Sequence, residues 1–181
     1  MKRLSLVFTL LTMVSMMAMA QSNKTFVLEN GKLGPLFVGQ RSAAIPKSAP
    51  GLYDKRTYKK QTMEDMDGEW TEEYYQFFKG GKKVFRCYIN NKKISSFVLE
   101  VGSSYIKTPE GFYVGYSGRE LFQKKRMEWN TYYEGEVFAS SNNFTYYLRS
   151  DDIIGNDFPT KLSEIKQSAK ISKIVYIVSE E

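Results

Sequence analysis

Phe37-Val38-Gly39-Gln40 and Lys93-Ile94-Ser95 are echoed later in the chain by Tyr113-Val114-Gly115-Tyr116 and Lys170-Ile171-Ser172. The first pair of strings is offset by 114 − 38 = 76 residues and the second by 170 − 93 = 77. Two landmarks recurring in one order at nearly one spacing mark an internal duplication, and a repeat of this length governs the fold before any single segment is assigned. The expectation is an α+β protein of two tandem repeats, each a short helix packed on a small antiparallel β-sheet, over residues 21–103 and 104–181.

Each copy supplies the same elements in the same order. Ser117-Gly118-Arg119-Glu120 has the spacing of a capping box and predicts a helix over about 117–126. In the first copy Pro46 stands where Phe122 stands in the second, so only a turn or two around 42–45 is expected. Short extended segments at 26–29 and 105–108 precede these helices and lead into turns at Asn30-Gly31 and Pro109-Glu110-Gly111. Hairpins follow them, 69–79 with 82–90 around Gly80-Gly81, and 132–140 with 144–150 around Asn142-Asn143. The closing strands, 93–101 and 170–178, carry apolar residues at both parities, Phe97, Leu99 and Val101 against Ile94 and Val98 in the first. Both faces of the sheet are therefore expected to be at least partly covered. Between Ser150 and Lys170 only the second copy has a long connection, residues 151–169, read as a surface crossover with a short helix around Leu162 and Ile165.

The first twenty residues read as a secretory signal peptide. Lys2 and Arg3 precede an apolar stretch to Met19, and Ala18-Met19-Ala20 is a small-x-small cleavage site before Gln21. Gln21, Ser22 and Asn23 offer no cysteine for lipid attachment, and no later segment approaches the roughly 18 apolar residues of a membrane span. A periplasmic or secreted product without stable membrane insertion is expected.

Composition excludes several function classes. The formal charge of +6 falls to 24 − 20 = +4 once Lys2 and Arg3 are removed, and the basic residues are dispersed apart from short clusters at 55–60 and 124–126, so no nucleic-acid footprint is expected. The chain has no histidine, which removes Ser-His and Cys-His nucleophile pairs, His-ligated zinc and the usual near-neutral base. Its one cysteine, Cys87, reads as a small buried hydrophobe on a strand. Ser163-Glu164-Ile165-Lys166 matches S-x-x-K without the companion motifs, and Asp65-Met66-Asp67-Gly68-Glu69 misplaces the glycine of a calcium loop. No catalytic residues, cofactor or metal are expected.

Aromatic residues are the remaining candidates. Trp70 and Tyr74 share one hairpin strand, and Trp129, Tyr132, Tyr133 and Tyr146 crowd the second copy. Tyr and Trp anchor interfaces, and thirteen tyrosines are many for a core in which every buried hydroxyl needs a partner. The ordinary strand preference of aromatics is the competing explanation. The functional expectation is a non-enzymatic binding module with a protein partner in the cell envelope. The alternative is glycan or peptidoglycan-fragment binding through Trp70 and Trp129.

Gly111-Phe112-Tyr113-Val114-Gly115-Tyr116-Ser117 has the form G-x-x-V-G-x-S before a short helix and antiparallel strands. In this it resembles the half-domain of the β-lactamase-inhibitor-protein and outer-membrane-assembly lipoprotein (BamE/SmpA) group. The inhibitor protein is likewise a tandem of two such units. The resemblance spans about residues 34–178 in order of elements and implies inhibitor-like or envelope-associated protein binding. The first copy departs from it, with Arg41 where the second has Ser117 and Pro46 cutting the helix short. Gly51-Leu52-Tyr53-Asp54 is also similar to a string in uncharacterised periplasmic proteins, a likeness that implies no activity.

Overall fold

The computed structural model describes residues 24–65, 68–124, 127–131, 136–155 and 158–178. The expected signal peptide, Tyr132 and Tyr133 lie outside them. Three short strands come first, β1 (Phe26–Val27), β2 (Lys32–Leu33) and β3 (Leu36–Phe37). A long hairpin follows, β4 (Lys55–Asp65) and β5 (Gly68–Lys79), and then β6 (Lys82–Asn90) and β7 (Lys93–Leu99). The second half contributes β8 (Ile106–Lys107), the helix α1 (Gly118–Gln123), β9 (Glu128–Thr131), β10 (Val137–Ser141), β11 (Phe144–Leu148) and β12 (Lys173–Ile177). β4 to β7 and β9 to β12 form one eight-stranded antiparallel sheet in the order β4-β5-β6-β7-β12-β11-β10-β9.

This corrects the expected α+β pair of helix-on-sheet repeats: the protein is mostly β, built on a single continuous sheet with one short α-helix. In the first half the helix is reduced to a 3-10 turn over Ser42–Ala44, which Pro46, lacking an N–H, does not extend. In the second, Ser117 accepts from the Glu120 N–H at 3.4 Å as foreseen, but α1 is only six residues long. Two small sheets would each have left a closing strand with an unpaired edge. Instead those edges pair with each other, which satisfies both ladders at once.

The repeat accounts for how this joint is made. β7 and β12 pair with Leu99 opposite Ile174, Val98 opposite Val175 and Phe97 opposite Tyr176. At the offset of 77, Val98 faces its own counterpart, because 175 − 98 = 77, and the residues on either side exchange counterparts. The two recurring strings also bond to each other in both halves. Gly39 N–H donates to Ile94 O and Gly115 N–H to Ile171 O, both at 2.8 Å, while Ile94 N–H and Ile171 N–H return to Gln40 O and Tyr116 O at 2.9 Å. Gly39 and Gly115 hold φ values of +88° and +99°, where a side chain is disfavoured, so glycine recurs with the contact.

Alternation along the strands sends Phe77, Phe85, Phe97, Leu99, Tyr146 and Ile174 to one face, where all are fully buried. Leu28, Leu33, Leu36, Leu52 and Tyr53 from the N-terminal segment, together with Phe112 and Leu121, join them in one cluster. Phe77 stacks on Phe85 at 4.3 Å with Tyr53 edge-on at 4.6 Å. The long connection is part of this cover: Ile153 and Ile165 are buried, and Arg119 Nη1 donates to Ile165 O at 2.9 Å. Among the described residues the helix, the short strands and the loops supply their buried side chains to this inner face. The outer face is covered only in part: Gln76, Ser96 and Val98 are buried on it, whereas Ile177 is 55 % exposed.

Cys87 lies within the inner face, opposite Phe97, and its burial pushes the thiol up to about 12. A thiol reagent at about pH 8 is expected to leave the folded protein unlabelled and to modify one cysteine per chain in denaturant, because the thiolate is the reactive form. Rapid labelling of the folded protein would contradict this placement.

Candidate functional site: the outer face of the sheet

The residues between the inward-pointing ones form the outer face, and the registers place them in rows. Tyr74 lies opposite Tyr88, and Gln76 opposite Arg86. Arg86 in turn faces Val98, which faces Val175 across the central joint. On the far side Lys173 faces Tyr147, which faces Phe138. The outcome is an aliphatic centre flanked by an aromatic pair on each side.

Each flank holds its rings with a cation and a carboxylate. In the first half the Tyr74 and Tyr88 rings are 5.5 Å apart, with the Arg86 guanidinium 5.6 Å and 5.5 Å from them. Arg86 Nη2 pairs with Glu100 at 3.3 Å, and Gln76 Nε2 donates to Glu100 Oε2 at 3.1 Å and to Phe85 O at 3.0 Å. Burial holds the Tyr88 hydroxyl above its ordinary pKa, opposed by the neighbouring Arg86 charge. In the second half Phe138 and Tyr147 are 5.7 Å apart and Lys173 Nζ sits 3.9 Å from the Tyr147 ring. That ammonium also donates to both oxygens of Glu136, at 2.8 Å and 3.1 Å. Cation–π contacts of this kind are worth about 0.5–1 kcal/mol at exposed sites. They also limit the rotamers of the rings, which lowers the entropic cost of ordering them against a partner.

At one end of the face, Lys83, Glu100, Glu136, Arg149 and Lys173 surround a shallow groove of about 380 Å³. A larger hollow, of about 500 Å³, lies elsewhere, between α1 and the turn at Asn142, and collects no comparable set of paired charges and rings. Among the described residues no three His, Cys, Asp or Glu side chains converge in a group able to hold a metal. No helix among them is long and apolar enough to cross a membrane.

The six aromatic candidates do not share one surface. Tyr74 belongs to the outer face, and Trp70 lies further along β5 at the same parity, 43 % exposed and opposite Met63. Trp129 points to the inner side, half-buried against Phe122 at 5.5 Å, because β9 pairs it with Ala139. Tyr146 belongs to the core: its register opposite Ile174 and Ala139 turns it inward, fully buried and edge-on to Phe112 at 5.2 Å. Its adjacent neighbour Tyr147 takes the outer position instead. Tyr88, Phe138, Tyr147, Arg86 and Lys173 went unrecognised in the sequence, although Arg86 and Tyr88 flanking the apolar Cys87 carry the parity that places them.

No family model and no curated protein matches this chain. Among solved structures it is similar to the crystal structure of the uncharacterized protein YfeY from Escherichia coli, with 16 % sequence identity and a TM-score of 0.53 over 86 % of this chain and 97 % of that one. At this identity the likeness is one of fold.

The adjacent tyrosines separate core from site. Tyr146→Ala is expected to cost about 3–5 kcal/mol in denaturant unfolding, as for a buried aromatic truncated in a core. Tyr147→Ala is expected to cost about 1 kcal/mol or less. Equal losses would place both rings in the core.

Proposed function

We propose that the protein is a non-enzymatic module that works outside the cytoplasm, in the periplasm or as a secreted product, and binds a protein partner through the outer face of its sheet. The observation that carries this reading is the pair of preorganised aromatic–cation–carboxylate groups, Tyr74, Tyr88, Arg86 and Glu100 on one side and Phe138, Tyr147, Lys173 and Glu136 on the other, flanking the Val98–Val175 centre. Tyrosine and arginine are the residue types over-represented among binding hot spots, and the ion pairs give such a face specificity. The resemblance to the β-lactamase-inhibitor and BamE-like half-domain agrees with a partner in the cell envelope. The glycan alternative is weakened because its two tryptophans lie apart, Trp70 out on the hairpin and Trp129 against Phe122.

Photo-cross-linking in the native envelope tests the proposal. A photoreactive residue at position 88 or 147 is expected to yield discrete protein adducts, reduced at least about tenfold when Tyr74→Ala and Phe138→Ala are combined. Adducts to saccharide alone, or none at either position, would overturn it.

A further inference from the structure

The sheet has two edges, β9 and β4, and the described part of β9 is four residues, Glu128–Thr131. β4 is an eleven-residue edge strand. Its partner β5 is supported by β6 only as far as Tyr74 opposite Tyr88, so residues 68–73 pair with β4 alone. An isolated two-stranded ribbon is marginal in water, and this one carries exposed Trp70 and Met63 on one face. Lys60 pairs with Glu73 across its base at 2.8 Å, but nearer its tip Glu64 lies directly opposite Glu69, a like-charge cross-strand pair that weakens it.

The charge order along β4 indicates what completes it. Lys59 and Lys60 lie at 59–60, and Glu64 and Asp65 at 64–65. An antiparallel strand related by a two-fold axis through Thr62 places Lys60 against Glu64 and Lys59 against Asp65, since 60 + 64 = 59 + 65 = 124. The symmetry repeats both pairs, so four opposite-charge pairs result with no like-charge pair in register. The same pairing sets Thr62 against Thr62 of the second copy, extending the Thr62–Thr71 pair of each hairpin into a row of four threonines. Centring the axis on Lys60 also opposes Arg56 to Glu64 and Lys55 to Asp65, but it sets lysine against lysine at the axis and takes Arg56 from its bond to Pro46 O at 2.9 Å and its place 4.5 Å from the Tyr75 ring. Centring it on Gln61 forms no opposite-charge pair. Side-chain parity forbids an axis between residues, because opposed side chains must leave the sheet on the same face.

We infer that β4 pairs edge to edge with β4 of a second copy of this chain, in the register centred on Thr62, joining two sheets into one through an isologous two-fold interface. The occupant is a second copy because one strand carries both halves of the complementarity. A foreign strand would need to match only one. The interface is distinct from the outer face proposed above, so either can fail without the other.

Sedimentation velocity on protein produced from the full chain is expected to show a concentration-dependent dimer that weakens as salt screens the exposed pairs. Combined Lys59→Glu and Lys60→Glu, or combined Glu64→Lys and Asp65→Lys, should each raise the dimer dissociation constant at least about tenfold, and mixing the two variants should restore a heterodimer. Thr62→Cys in the otherwise unchanged chain fixes the register independently of these variants' stability: mild oxidation should give a covalent dimer more readily than Lys60→Cys does. A monomer across the concentration range, folded charge variants that fail to recombine, or faster cross-linking at position 60 would each overturn the inference. A monomer that pairs with an added foreign strand would assign the edge to another protein and overturn it as well.

Discussion

The antiparallel joint of β7 and β12 is the contact on which the rest of the molecule depends. Its inner residues Phe97, Leu99, Ile174 and Tyr176 are almost completely buried, so the register is fixed by what the inner face must contain. A slip of one residue would take Phe97 and Leu99 off the inner face and put the smaller Ser96 and Val98 in their place. Because Val98 meets its own counterpart, each half is laid out from the same central line in opposite directions. Tyr88 then stands one strand from β7, and Tyr147 one strand from β12. The matching aromatic pairs on the outer face follow from the joint, with no further contact needed to align them.

The same joint explains which parts of the fold were legible in the sequence. Gly80-Gly81 adopts φ values of +56° and +76°, as a two-residue hairpin turn requires, and the strands beside it begin and end within a residue of their expected limits. Ser117 caps α1 as its spacing foretold. These are local signals, settled by a few adjacent residues. The union of the two repeats into one sheet was not local: the apolar residues at both parities of 93–101 could equally mean a second covering layer or a neighbouring strand. β4 is not legible in the sequence because its stretch 58–64 is exposed throughout and so lacks the alternation that reveals a half-buried strand.

The binding candidates show the same division. Tyr146 and Tyr147 are chemically identical neighbours, and propensity cannot tell them apart; only the register against Ile174 and Lys173 decides which becomes core and which becomes surface. Trp129 was placed on the surface by its residue type, whereas Ala139 opposite leaves room on the inner face for the larger ring to pack on Phe122. Trp70 and Tyr74 share one hairpin strand in the sequence, and being four apart on it they also share a face. Reading the outer face from sequence would have required the strand order, which fixes the cross-strand neighbours that turn single rings into pairs.

The two halves differ chiefly away from the joint. The second half has the longer helix, which enters close against the sheet at Gly118, where an added Cβ would lie 3.1 Å from Leu148 and 3.2 Å from Ala169. It also has the long crossover that brings Ile153 and Ile165 over the core. The first half has neither, and covers its share of the inner face with Leu28, Leu33, Leu36 and Leu52 from the N-terminal segment. What it has in addition is the hairpin ribbon, which contributes little to the core beyond Phe77 and reaches past the last residue that β6 supports. An element so costly to keep ordered in isolation is poorly explained by the stability of the monomer. It is better explained by a contact made outside it.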